Sequence, residues 1–104
     1  MKEALNSACC DLTHNGFMVQ SEINHSNYAL VRQAGCERIR SFSGRSCCVM
    51  LDQCPSFDSA ILSLMVSWVR YAQTVSVRLT FAGCSDSLRR LVTLSGIDTC
   101  LEWE

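Results

Sequence analysis

The amino-acid sequence predicts a single α/β domain on a mixed, mostly parallel sheet, with elements in the order β-β-α-β-α-β-α-β. The chain has 104 residues, which is the length of one domain. Segments typical of strands alternate with single helical segments, and strands joined in this way run parallel through right-handed crossovers. A hairpin at the start supplies one antiparallel strand. We therefore expect residues 1–104 to form one domain.

The opening hairpin is predicted from two alternating segments, residues 7–13 and 17–22. Apolar and polar side chains alternate along both, as in strands with one buried face. Between them lies His14-Asn15-Gly16, and Asn-Gly supplies the positive φ angles of a tight hairpin turn.

The first helix is predicted to begin at Ser26 or Asn27, whose side chains are good N-caps, and to run to about Ser41. Few apolar residues line one side of this helix. Gly35 lies in the middle of the segment and lowers its helix propensity. This helix therefore has the weakest support in the sequence.

The middle of the chain predicts a buried strand followed by a long helix. Residues 47–51 are five consecutive apolar residues, a pattern that suits an interior strand covered on both faces. A loop with the only proline, Pro55, leads to a helix that Asp58 or Ser59 caps and that reaches about Gln73.

The last third predicts another strand and helix. Residues 75–81 alternate in polarity, so one face of this strand is expected to be less buried. After a turn at Gly83, Ser85 or Asp86 caps a helix, and Gly96 takes the place of a left-handed C-terminal cap. Residues 97–103 are predicted to close the sheet as a short strand.

Composition excludes several function classes. The net charge is −1 and the charged residues make up 18% of the chain, which argues against a nucleic-acid partner. No apolar run approaches the roughly 20 residues of a membrane-spanning helix, so no direct membrane span is expected. The start of the chain has no apolar signal core, which predicts a cytoplasmic location.

The eight cysteines are predicted to be reduced and to bind no metal. Two close ligand pairs of the kind that hold zinc are missing from the sequence. The adjacent pairs Cys9-Cys10 and Cys47-Cys48 lie in strand-like segments, where neighbouring side chains point to opposite faces. Reduced cysteine behaves as a small buried hydrophobic residue. A disulfide, or metal or redox chemistry, is the alternative.

Catalysis is not expected, and neither a catalytic residue nor a cofactor is predicted. The histidines are His14, in the predicted turn, and His25, before the first helix. No phosphate-binding loop motif occurs. A Cys–His pair formed in space is the catalytic alternative, since a nucleophile needs a base within hydrogen-bond reach.

Three local segments are notable for their order and spacing: Ser21-Glu22-Ile23-Asn24, Phe57-Asp58-Ser59-Ala60 followed by Leu62, and Ser87-Leu88-Arg89-Arg90-Leu91 through Ser95-Gly96-Ile97. Together with the order of the elements, these segments resemble the STAS domain. This family includes bacterial anti-sigma-factor antagonists, sulfate transporters and the MlaB subunit of phospholipid ABC transporters. The resemblance spans about residues 5–103.

Two positions depart from the family's pattern. Met50 stands where many relatives carry an aspartate near the end of the third strand, and Asp52 falls in the following loop. Ile61 stands where relatives often carry a glycine, two residues after the serine. A branched side chain there limits how closely another backbone can approach.

The resemblance implies a non-catalytic subunit that binds and supports the ATPase of an ABC transporter for phospholipid traffic. Such a subunit would lie in the cytoplasm, at the inner face of the inner membrane through its partner. The alternative is an antagonist that binds an anti-sigma kinase and is switched by phosphorylation of Ser59. The partner-binding residues implied in either case are Asp58, Ser59, Ala60, Ile61, Ser63 and Leu64. Plain helix capping by Asp58 or Ser59 is the competing interpretation.

The second helix carries more apolar surface than a surface helix needs. Its apolar residues cover an arc of about 200°, against about 100° for an ordinary buried stripe. Neighbouring helices could bury the excess, or it could form a partner-facing patch that includes part of the set Ile61, Leu64, Trp68 and Tyr71. A permanent apolar interface favours the transporter subunit over the switched antagonist.

Overall fold

A computed structural model describes residues 10–12, 16–20, 22–52 and 59–103, and it confirms the predicted α/β class. One four-stranded sheet has the order β1-β2-β3-β4, with β1 antiparallel to β2 and the other neighbours parallel. The elements are β1 (Cys10–Leu12), β2 (Gly16–Val19), α1 (Tyr28–Arg40), β3 (Ser46–Met50), α2 (Ser59–Thr74), β4 (Arg78–Ala82), α3 (Asp86–Leu94) and a 3-10 turn (Asp98–Cys100).

The opening hairpin has its first two strands in antiparallel register, with Cys10 opposite Val19. Strand β2 ends at Val19, so its predicted extension to Glu22 is wrong. The predicted turn at His14-Asn15 lies outside the described residues. Strand β2 begins at Gly16. A glycine is needed there because the backbone approaches β3 closely: a Cβ would lie 2.6 Å from the Cys48 nitrogen.

Strand β3 is the interior strand that its apolar run predicts. It pairs with β2 on one side and β4 on the other. The side chains of Cys47 and Cys48 point to opposite faces, and both are buried. Both faces of the sheet are therefore covered at this strand.

Strand β4 begins later than its alternation predicts, at Arg78 instead of residue 75. Val75 and Ser76 form a turn after α2, in which Ser76 has φ +59°, and the Val77 N–H donates to the Ala72 carbonyl. Arg78 is exposed but Thr80 is buried. The expectation of a less buried face is therefore met at only one of these two positions.

The core lies where α1 and α2 pack together over the sheet. Trp68 of α2 is completely buried and meets Phe17 of β2 edge to face, with ring centroids 5.2 Å apart. Gly35 of α1 lies directly against the indole, where a Cβ would come closer than 3.0 Å to its ring atoms. The glycine that weakens the first helix in sequence terms is thus the residue that lets the two helices approach.

The C-terminal part confirms the helix but not the last strand. Ser85 caps α3, its hydroxyl accepting from the Leu88 N–H at 3.2 Å, and Gly96 is left-handed with φ +76°. The predicted strand 97–103 is wrong because local backbone bonds form a 3-10 turn, in which the Cys100 N–H donates to the Ile97 carbonyl. The end of the chain meets the sheet at β4, where the Phe81 N–H donates to the Glu102 carbonyl at 2.9 Å and Trp103 forms an isolated bridge with Phe81.

None of the helices in the described part of the chain combines the length and apolar character needed to cross a membrane.

Candidate functional site

The candidate site is the edge of the sheet where the three parallel strands end. Strands β2, β3 and β4 point the same way, so the segments that follow them meet at one edge. These segments are the loop before α1, the loop before α2 and the turn before α3. Ligand and partner sites of open α/β sheets commonly lie at this edge.

The loop before α1 is held by two asparagines. Asn24 Oδ1 accepts from the N–H groups of Ser26 and Asn27 at 2.8 and 3.0 Å, and Asn27 Oδ1 accepts from the Asn24 N–H at 2.9 Å. Asn27 Nδ2 also donates to the Glu22 carbonyl at 2.7 Å. Asn27 occupies the N-cap position but makes no side-chain cap bond. The predicted cap residue therefore orders the loop instead.

The neighbouring part of the edge is formed by Asp52 and Gly83. The Leu51 N–H donates to the Ala82 carbonyl at 2.8 Å and ties the ends of β3 and β4 together. Gly83 has φ +72°, and a Cβ there would lie 2.8 Å from the Asp52 backbone nitrogen. The exposed Asp52 is thus placed at the edge, two residues beyond Met50, the last residue of β3.

Helix α2 begins at Ser59, as the Asp58-Ser59 pattern predicts. Asp58 lies outside the described residues, and Ser59 is placed at the helix N-terminus, where free N–H groups and the positive end of the dipole favour negative charge. Ala60 is half-buried and Ser63 is exposed. These positions lie at the same edge as the asparagine loop.

The predicted exposed apolar patch on α2 is wrong. Ile61, Leu64 and Trp68 are completely buried, and Tyr71 is half-buried. The sheet and α1 cover these residues of the wide apolar side of α2. Ile61 and Leu64 are therefore core residues and do not present a partner surface. The wide apolar side of the helix is thus covered largely within this chain, which was the other interpretation of its width.

Two hydrogen bonds join α1 and α2 beyond their apolar contact. The Tyr28 hydroxyl and the Ser63 hydroxyl lie 2.9 Å apart, and Trp68 Nε1 donates to the Arg32 carbonyl at 3.0 Å. The first bond lies one helical turn from Ser59. Both helices are therefore held in a fixed relation close to the predicted site.

An open groove of about 370 Å³ runs along the outer side of this helix pair. The residues that line it are Tyr28, Arg32, Ser63, Val66, Ser67 and Arg70. The sequence analysis named Ser63 in the partner-binding set but missed Tyr28 and Arg32. Their spacing of four along the first helix puts them on one face, which is the signal that could have found them.

The cysteines within the described residues include three with raised thiol pKa values. Burial raises the pKa of Cys47 to about 12 and that of Cys84 to about 11, with Arg89 opposing the shift at Cys84. Burial also raises the pKa of Cys36. Within the same residues, no group of three or more His, Cys, Asp or Glu side chains is placed to hold a metal. His25 is exposed in the turn before α1.

Alkylation should therefore separate the cysteines. At pH 8 we expect iodoacetamide to modify native Cys47 about 100-fold more slowly than the exposed Cys100, because the thiolate is the nucleophile and Cys47 is buried. Peptide mass spectrometry over time measures both rates. In denaturant both residues should react at similar rates, and equal rates in the native protein would contradict the placement of Cys47.

Comparison with known proteins supports the fold. No protein-family profile matches the sequence, and no curated protein matches it. Among solved structures, a Thermotoga maritima protein described as a "putative anti-sigma factor antagonist" superposes with a TM-score of 0.71 and 14% identity. The match covers 90% of this chain and 82% of that one. The chain thus has a STAS-like α/β fold.

Proposed function

We propose that this chain is a non-catalytic STAS-type docking domain whose partner contacts the start of α2 at Ser59. The observation that carries the proposal is the position of Ser59. It begins a helix at the carboxyl edge of the parallel strands, within a STAS-like fold. A partner surface there would contact Asp58, Ser59, Ala60 and Ser63, because the other members of the predicted set, Ile61 and Leu64, are buried in the core.

The partner we place first is an anti-sigma factor of the kinase type, with phosphorylation of Ser59 as the switch. The solved structure with this fold is described as an anti-sigma factor antagonist. A phosphate on Ser59 would be favoured by the helix dipole, and its charge would repel an acidic partner surface. Such a regulator would act in the cytoplasm.

An ABC transporter ATPase, in an MlaB-like complex for phospholipid traffic, is the second candidate partner. Its support came from an apolar second helix suited to a permanent interface. Because Ile61, Leu64 and Trp68 are buried within this chain, that support is lost. The transporter role now depends on the sequence resemblance alone.

The substitution Ser59→Glu tests the proposal. We expect it to weaken partner binding at least about tenfold. The added carboxylate would either repel acidic groups of the partner or lose its hydration at the interface, and both effects reduce the binding free energy. The fold should be retained, since an acidic residue in the first turn of a helix is favourable. Binding is measured by calorimetry with the kinase or ATPase encoded beside this gene, and folding by circular dichroism.

Ser87→Glu is the matched control, because Ser87 is an exposed residue in the first turn of α3. It should leave partner binding unchanged. Incubation of the wild type with its partner and ATP separates the two candidates, since only the kinase would add phosphate to Ser59. Unchanged binding by Ser59→Glu would overturn the proposed interface.

A further inference from the structure

The groove between α1 and α2 carries positive charge that no carboxylate of the described residues neutralises. Arg32 and Arg70 are exposed on its two sides. Among residues 10–12, 16–20, 22–52 and 59–103, no carboxylate lies within ion-pair distance of either guanidinium; the ion pair found there joins Arg78 to Glu102.

The two helices that form the groove are joined at defined points. The Tyr28–Ser63 and Trp68–Arg32 hydrogen bonds hold the two helices at two points along it. Gly35 is also in close contact with Trp68, so any separation of the two helices would lose this packing. A preformed surface loses less entropy when a partner binds.

The lining offers groups that suit a peptide rather than a bare ion. Hydroxyls of Ser63 and Ser67 lie on α2 together with Val66, whose side chain is half-buried and apolar. From Ser63 to Arg70 the helix rises about 10 Å, which matches about three residues of extended chain. Guanidinium groups bind carboxylates through paired, charge-assisted hydrogen bonds.

We propose that this groove binds an acidic segment of a partner protein, with Arg32 and Arg70 pairing with its carboxylates. Charge complementarity identifies the occupant. Nucleic acid would need many more cations than these two, because its affinity grows with each phosphate neutralised. The inference rests on the proposed docking function: the groove continues the Ser59 surface by one helical turn and would extend the same interface.

A direct test uses a labelled ten-residue peptide in which glutamate alternates with alanine. At low salt it should bind saturably and shift the amide resonances of Tyr28, Arg32, Ser63 and Arg70. The double substitution Arg32→Gln with Arg70→Gln should weaken binding about fivefold, as expected for two exposed ion pairs. Raising the ionic strength should weaken the wild type as well.

The matched control is Arg40→Gln with Arg90→Gln, which removes the same charge from exposed sites outside the groove. It should bind the peptide like the wild type. A peptide with lysine in place of glutamate should not bind. The proposal would be overturned if the peptide did not bind saturably or if the shifted resonances belonged to other residues. Equal effects of the two double variants would overturn it as well. Because this peptide assay needs no cognate partner, it can fail while Ser59→Glu still weakens partner binding.

Discussion

Gly35→Ala is expected to destabilise the domain by about 3 kcal/mol, at the upper end of the usual range for overpacking. In an exposed helix the same change would stabilise, by about 1 kcal/mol. Here the added methyl group would overlap Cε2, Cζ2 and Nε1 of Trp68. The indole cannot turn away freely because it is buried against Phe17 and donates to the Arg32 carbonyl.

Thermal unfolding followed by circular dichroism measures this effect. For a domain of this size, the loss corresponds to a fall in Tm of about 15 °C. Gln33→Ala, an exposed change on the same helix, is the matched control and should alter Tm little. A Gly35→Ala variant as stable as the wild type would mean that α1 and α2 are not in contact at Trp68.

Leu64→Asp is expected to abolish folding. Removing a buried leucine side chain costs about 2–5 kcal/mol. The unpaired buried carboxylate adds a penalty of several kcal/mol, so the sum approaches the roughly 5–15 kcal/mol stability of an ordinary domain. Leu64 is completely buried, so no rotation of its side chain brings the carboxylate to water.

Ser63→Asp is the matched control on the same helix. Ser63 is exposed, and a carboxylate there can still accept a hydrogen bond from the Tyr28 hydroxyl. Circular dichroism should show a folded protein for Ser63→Asp and loss of cooperative unfolding for Leu64→Asp. If Leu64→Asp were instead folded and more soluble but no longer bound its partner, the apolar docking patch would be supported. That result would contradict the burial of Leu64 described above.

The start of the candidate site was predictable because its signals are local. Asp58-Ser59 before an apolar helical segment indicates a helix N-terminus, and α2 does begin at Ser59. The face that α2 presents to a partner was not predictable. The apolar periodicity shows that Ile61 and Leu64 must be buried. It does not show whether the same chain or a partner protein buries them.

Tertiary contacts also decided several element boundaries. The apolar alternation of residues 75–81 continues through Val75 and Val77, yet Val77 donates its N–H back to Ala72 and the strand begins only at Arg78. Likewise, Ile97 and Leu101 have the apolar character of strand residues, but local 3-10 bonds hold the segment from Asp98 to Leu101 out of the sheet. Neither outcome follows from side-chain pattern, because backbone bonds of similar energy compete there.

The sequence by itself determined the element order as far as α3, the mostly parallel sheet, the buried strand β3 and the caps at Ser85 and Gly96. Each depends on residues close together in the chain, through hydrophobic period, side-chain capping or a left-handed glycine. Only the tertiary structure decided that Gly35 receives Trp68 and that Arg32 faces Arg70 across a groove. These relations join residues more than thirty positions apart, and their distances are set by how two helices pack on one sheet.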